Sequence, residues 1–483
     1  MRELILNNKT IKIAAIWAAI EALSTSLLSI LSIVFLARIL RPEDYGQIAT
    51  AQIIAFILQL LLGLGLTEAV IQKKDISNSH IASALKGSLF LALITFVLSI
   101  IVAVFFYYYS HEKTIALILP FEGLGAALNI ASTVPTALLL RNLEMSAFTK
   151  RTILSRILFF AVAIPLALHN YGVWSITFAN LFQVSLATIL IFIAGKKYIP
   201  ALTKYSHKDF VELIKFGFYV MVENLLWIVL SRVFSLLIFT FHGTYALGLF
   251  NMASRLTDAI LNILNTVISR LALPVFSSVQ HDSELLKKSF CKVTEIFNLV
   301  SMPAFVGAAF TCSYWTPLVL GEKWNPAIPI IQIICVMNAI MFSRKFVGTA
   351  MKAVGESKRF MYLSVISAST TLIAAFVTKD QTLLLTLLAW SILRVIVTVP
   401  VGVGLMKRIL NININEQFRP IFIPSVSTIL MSCVIYLSMN FFNKLLLQPI
   451  YSVVFMVIVG TFVYSVSALF FIKRRYGGIR SFF

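Results

Sequence analysis

The chain has 483 residues, of which 59% are apolar and only 12% are charged, with a mean hydropathy of +0.91. A soluble domain is near half apolar and a quarter charged, so water is not this protein's main solvent. The formal charge of +20 is high enough to raise nucleic-acid binding, but in a membrane protein Lys and Arg accumulate on the cytoplasmic side, and that reading excludes nucleic acid as a partner.

Apolar runs long enough to cross about 30 Å of hydrocarbon as a helix follow one another with short polar breaks. In chain order the spans are 14 to 36, 48 to 70, 86 to 109, 115 to 139, 152 to 168, 173 to 194, 214 to 239, 246 to 272, 294 to 318, 327 to 350, 360 to 377, 382 to 405, 421 to 441 and 449 to 472. Helices satisfy their own backbone groups in lipid, so the expected fold is an all-α integral membrane protein of about fourteen transmembrane helices. The first run is too long for a signal-peptide core and has no small-residue cleavage site, so it is read as a retained span.

Charge tests the count independently. If the N-terminus is cytoplasmic, the outer loops keep only Arg38, Arg41, Lys113, Lys323, Lys379 and Lys444, while the alternate loops, the helix ends beside them and both tails hold nearly all the rest. Such an alternation places both termini in the cytoplasm. No loop is long enough to hold a domain, so whatever the protein does it does inside the bilayer. The cysteines Cys291, Cys312, Cys335 and Cys433 stand singly in or beside apolar segments and read as small core residues rather than metal ligands or disulfides.

An internal echo divides the chain. Residues 32 to 72 align with 234 to 274, matching Gly46 to Gly248, Ala51 to Ala253, and Leu58, Leu61 and Leu62 to Ile260, Ile263 and Leu264. A second echo sets Thr136-Ala137, Glu144 and Phe148 beside Thr349-Ala350, Glu356 and Phe360. Six spans separate each member from its partner, so the repeats run parallel: a six-helix lobe over 1–200, a second over 201–410, and two additional helices with a basic tail over 411–483. Lobes of this kind suit alternating access about a central site.

Ionisable residues inside a span are expensive and are functional candidates by default. On the eighth span Arg255, Asp258, Asn262, Asn265 and Ser269 recur at spacings that place all five on one helical face. The seventh span has Glu223, Asn224 and Arg232; the first has Glu21, Thr25, Ser29 and Ser32; the second has Gln52 and Gln59; and Arg394 lies on the twelfth. Arg232, Arg255 and Arg394, with Asn262 and Asn265, are the expected contacts for an anionic, phosphate-bearing substrate, because a guanidinium fork matches phosphate oxygens. Glu21, Glu223 and Asp258 are the expected sites for Na⁺ or H⁺ coupling. A structural ion pair between Arg255 and Asp258 is the plainer alternative. No Walker-type phosphate loop and no metal-ligand spacing is present, which excludes ATP as the driver and gives no catalytic residue, no metal site and no resident cofactor.

The segment Leu36-Ala37-Arg38-Ile39-Leu40-Arg41-Pro42-Glu43-Asp44-Tyr45-Gly46 resembles the first-loop signature of bacterial polysaccharide exporters. Gly172-Val173-Trp174, Leu273-Pro274-Val275-Phe276-Ser277 with Gln280 and Asp282, and Leu320-Gly321-Glu322-Lys323-Trp324 with Pro326-Ala327 look like the same family at the matching places. The family is that of the Wzx-type, lipid-linked oligosaccharide flippases of the multidrug/oligosaccharidyl-lipid/polysaccharide exporter superfamily. The resemblance implies a non-enzymatic carrier in the bacterial inner membrane that moves an undecaprenyl-pyrophosphate-linked sugar repeat unit from the cytoplasmic to the periplasmic leaflet. Assembly of O-antigen, capsule or exopolysaccharide would use the product, with a polysaccharide polymerase and a chain-length regulator as partners beside the membrane lipids. A drug or metabolite exporter and a lipid-II flippase are the alternatives in the same superfamily. The matching motifs are turns and helix ends, so they transfer no binding residue.

Overall fold

The computed structural model describes residues 8–73, 75–109, 112–200, 205–278, 282–354, 356–445 and 449–477. All regular structure among them is helical, and the chain forms two compact units, Met1–Phe239 and Thr240–Phe483.

The first unit contains α1 (Asn8–Ile39), α2 (Pro42–Gly63), α3 (Leu66–Gln72), α4 (Asn78–Tyr109), α5 (Lys113–Ala131), α6 (Thr133–Arg141), α7 (Met145–Leu168) and α8 (Val173–Gly195), and the start of a long helix α9 (His207–Ser278). At the first turn of α2, Pro42 supplies a preset φ and no surplus donor, Glu43 and Asp44 complement the helix dipole, and the Arg41 N–H donates to Asp44 Oδ2 at 2.9 Å.

The expected span 48 to 70 is two helices. Leu64 and Gly65 both adopt left-handed conformations (φ 49° and 60°), which ends α2 and restarts the chain as α3. The turn lies directly on α9: a Cβ on Gly65 would meet the Gly217 carbonyl oxygen at 2.3 Å, and one on Gly217 would meet that of Leu64 at 2.2 Å. Backbone approach this close needs glycine on both sides. The span 115 to 139 is likewise divided at Ser132 into α5 and α6.

Helix α4 shows how such helices hold together in lipid. One face is a buried stripe of Ala84, Ser88, Ala92, Thr95, Ser99 and Ala103, and its hydroxyls bond back to their own helix, Thr95 Oγ1 donating to the Leu91 carbonyl at 2.8 Å. Small residues let α5 pack closely, and a Cβ on Gly123 would sit 2.0 Å from Ser99 Oγ. The other face exposes Leu89, Phe90, Leu93, Ile101 and Phe105. An apolar surface this continuous is built for hydrocarbon.

Within α9, Gly243 (φ 80°, ψ −179°) interrupts the helix between the expected spans 214 to 239 and 246 to 272. The second unit continues with α10 (Ser283–Leu320), α11 (Ile328–Phe342), α12 (Phe346–Ala353), α13 (Ser357–Val377), α14 (Leu383–Leu410), α15 (Ile414–Leu445) and α16 (Pro449–Tyr476). Asp282 caps α10 by accepting from the Leu285 N–H at 2.9 Å. The turn over Glu322–Ala327 buries Trp324 completely. The span 327 to 350 breaks at 343–345 into α11 and α12, and α15 and α16 pack on α10 within this unit.

Helix covers each of the fourteen expected spans apart from these breaks. Among the described residues, eleven helices are by themselves long and apolar enough to cross a membrane. Cys312 and Cys335 are buried as expected, but Cys433 is exposed on an apolar face beside Ile429, Leu430 and Leu437 rather than in the core.

Candidate functional site

In the second unit the helix from 245 onward is two-sided. Met252, Ala253, Thr257 and Leu264 are buried, whereas Arg255 is half-buried and Asp258 and Asn262 are exposed. Asp258 and Asn262 of the expected polar face therefore turn away from this unit's packed interior. Arg255 Nε donates to Asn251 Oδ1 at 3.1 Å, one turn back, which orients the guanidinium. The side chains of Asn265 and Ser269 lie outside the described residues, as do those of Glu223 and Asn224. Arg232, at the first unit's end, is exposed.

Arg394 sits well inside α14, half-buried, with its guanidinium carbon 5.5 Å from the Trp390 ring centroid one turn earlier. Trp390 is anchored by its own Nε1–H donating to Thr371 Oγ1 at 3.1 Å. The Arg394 Nε has no hydrogen-bond partner among the described residues. An indole face satisfies part of a cation's field and leaves the fork's edge available.

The first unit holds a different set. Glu21 on α1 is half-buried and accepts from Thr152 Oγ1 at 2.8 Å, with Arg151 in electrostatic reach on α7. Glu21 thus ties α1 to α7, a structural use beside the expected coupling role. Gln52 and Gln59, seven residues apart on one face of α2, meet α5: Asn129 Nδ2 donates to Gln59 Oε1 at 3.3 Å, and Gln52 hydrogen-bonds Glu122. Asn180 Nδ2 on α8 also reaches Glu122 Oε1, at 3.4 Å. Close by, Phe121, Trp174 and Phe178 pack their rings within 5.6 Å of one another.

Glu122 is absent from the candidates read from the sequence, although it is the one acid in the middle of a nineteen-residue apolar helix, which is signal enough. Asn129 and Asn180 carried no such mark. They are recognisable only by the glutamine and the carboxyl they touch.

At the first unit's loop end, Glu212 takes both Lys73 and His80 (3.4 Å to His80 Nε2), and Arg141 Nη1 donates to the carbonyls of Val70 (2.9 Å) and Lys73 (2.6 Å). Glu144, which follows α6, accepts from Tyr198 Oη at 2.8 Å and pairs with Lys197; these two partners hold its carboxyl below the ordinary carboxylate range. The second unit repeats the local pattern. Glu144 N–H donates back to Leu139 O at 3.0 Å after the short α6, and Glu356 N–H donates back to Met351 O at 2.9 Å after the short α12.

A family model described as "Polysaccharide biosynthesis protein" matches residues 35–329. An uncharacterized membrane protein in the cps region of Klebsiella pneumoniae is 24% identical over 362 residues, 74% of this chain and 74% of that protein. A succinoglycan biosynthesis transport protein of Rhizobium meliloti (strain 1021) is 21% identical over 467 residues, 96% of this chain and 93% of that protein. Among solved structures, a lipid II flippase in an inward closed conformation aligns with a TM-score of 0.76 at 15% identity, covering 94% of this chain and 98% of that one.

Proposed function

The chain belongs to the polysaccharide biosynthesis protein family, a family of transporters rather than enzymes, and from that premise we propose that it flips undecaprenyl-pyrophosphate-linked oligosaccharide repeat units from the cytoplasmic to the periplasmic leaflet of the bacterial inner membrane. The glycan then serves surface polysaccharide assembly, whether O-antigen, capsule or exopolysaccharide, handed to a polymerase and its chain-length regulator. The proposed topology is fourteen crossings with both termini cytoplasmic, two parallel six-helix lobes and a trailing pair. The paired turns at Glu144 and Glu356 support the repeat, since the same short helix, break and back-bonded N–H recur where the sequence echo puts them.

The observation that carries the substrate class is Arg394: an intramembrane guanidinium whose Nε is unpartnered and whose charge rests on an indole face. A half-buried cation that meets no carboxylate among the described residues is costly unless an anion arrives, and a pyrophosphate is an anion with oxygens spaced for the fork. Arg255 and Arg232 are proposed as further phosphate contacts, and Asn262 and Asn265 as sugar or phosphate hydrogen-bonding groups. Rates of flipping of a fluorescent undecaprenyl-pyrophosphate glycan by purified protein in liposomes test the reading. Loss of flipping in Arg394→Ala and Arg255→Ala, with folding intact, is the expected result. Full activity in both variants removes the phosphate assignment, and transport of cationic drugs in place of the glycan by wild type removes the substrate.

A further inference from the structure

We propose that Glu122, held between Gln52 of α2 and Asn180 of α8, is a proton-binding site inside the first unit, loading and releasing a proton during the transport cycle. The inference rests on the chain being a membrane transporter and not on which glycan it moves.

Among the described residues, the elements packed on α5 bring no charged group to this carboxyl, α6 carrying only Arg141 in its last turn. Helix α2 has no titratable residue after Glu43, Asp44 and Tyr45, all in its first turn; α4 has none between Lys86 and Tyr107; α8 has none at all; and α5 itself has only Lys113 at its start. Glu122 is therefore the one ionisable group at mid-depth in this four-helix cluster. At the unit's loop end, by contrast, Glu144 is paired with Lys197 and Glu212 with Lys73. An ionised carboxylate at membrane depth with no counter-ion costs several kcal/mol, and the ordinary way out is to take up a proton.

The two partners are chemically suited to that exchange. A carboxamide carries both a donor and an acceptor, so Gln52 and Asn180 can each donate N–H to the carboxylate. On protonation, the new O–H becomes a donor, and a rotated amide presents its carbonyl oxygen to receive it. A lysine or arginine in the same place would satisfy the ionised form alone. Two amides and one carboxyl offer fewer oxygens than a divalent cation takes, about six, and a proton needs only the one carboxyl; Na⁺ is the competing ligand that the experiment distinguishes. Glu122, Gln52 and Asn180 are each half-buried as residues.

The local backbone is suited to respond. Pro120, two residues earlier, cannot donate to the Ala116 carbonyl and weakens the helix ladder at this point. Gly123 anchors the neighbouring face of α5 against Ser99. Adding or removing a charge at Glu122 thus acts on a helix already jointed beside it.

The test uses the full-length protein in lipid nanodiscs. Infrared difference spectra between about pH 5 and about pH 9 should show a protonated-carboxyl band in wild type that disappears at the alkaline end and is missing from Glu122→Gln. Labelling of wild type by a hydrophobic carbodiimide, which attacks protonated carboxyls, should map to Glu122 by mass spectrometry and fall as pH rises. This arm needs no variant and stands even where Glu122→Gln fails to fold. In liposomes, an imposed pH gradient should stimulate flipping by wild type, and that stimulation should be about tenfold smaller in Glu122→Gln. A band identical in wild type and Glu122→Gln, no carbodiimide label at Glu122, or displacement of the band by Na⁺ at constant pH would each overturn the proposal. Failure of wild type to move any lipid-linked glycan counts against the proposed function alone and leaves the spectroscopic result standing.

Discussion

The two units solve the same electrostatic problem with opposite signs. In the first, a mid-helix acid, Glu122, is met by the amides of Gln52 and Asn180 and, among the described residues, by no cation. In the second, a mid-helix base, Arg394, lies over Trp390 with its Nε unpartnered. Elsewhere in each unit the chain pairs its charges readily: Lys73 and His80 with Glu212 in one, Lys287 with Glu416 at 2.7 Å and Arg475 with Glu295 at 3.5 Å in the other. Charges left without an ionic partner at depth are thus selective exceptions. Among the described residues neither place holds an ion pair, and on that observation the proposed roles of Arg394 and Glu122 rest.

The sharpest way to break the comparison is to remove the cation. Arg394→Ala should cut the initial flipping rate by about 10- to 100-fold, the worth of one or two charge-assisted hydrogen bonds. Arg394→Lys, which keeps the charge and loses the fork, should recover only part of it. Glu122→Gln should flatten the response of flipping to pH, because the amide keeps hydrogen-bonding capacity and removes the titration. Equal losses in Arg394→Ala and Glu122→Gln would show that the units do not divide the work by charge sign.

A second set of predictions concerns what keeps each unit in shape. Trp324→Ala should lower stability by about 3–5 kcal/mol, because a fully buried indole leaves a cavity in the second unit. Gly217→Leu should cost about 1–3 kcal/mol or more, since its Cβ alone would meet the Leu64 oxygen at 2.2 Å. Thermal unfolding in detergent with one tryptophan probe per unit reads both effects. Simultaneous melting of both units in either variant would deny them independent stability.

The smallest expected effect is a pH dependence at the loop end of the first unit. Lys197 and Tyr198 depress the Glu144 carboxyl, so its contribution is present above its unfolded pKa and is lost as pH falls through the lower folded value. Glu144→Gln should therefore melt slightly below wild type at neutral pH, by under about 1 kcal/mol for a partly exposed pair. The difference should close in acid. A gap that persists there would assign the effect to packing instead.

Much of this was legible in the amino-acid order because a bilayer imposes a simple code. Length and hydropathy place the helices, and the exposed Leu and Phe face of α4 is what a lipid solvent demands. The sequence also marked the polar face of 255, 258 and 262 and the isolated Arg394, since a charge inside an apolar run is visible without knowing its neighbours. It did not reveal where helices break. The left-handed Leu64 and Gly65 look like an ordinary stretch of a Leu-rich span until Gly217, far along the chain, is seen against them.

Partnership was the other hidden quantity. Gln52 and Gln59 were recognisable as polar, but their meaning depends on Glu122, Asn129 and Asn180, which lie 58 to 70 positions away from the residues they touch. Composition and periodicity alone determined that this is a many-helix membrane protein, with a few charges it could not hide from lipid. Tertiary structure alone decided which of those charges meet an opposite charge among the described residues, because pairing is a matter of distance between helices and no single helix's sequence contains that distance.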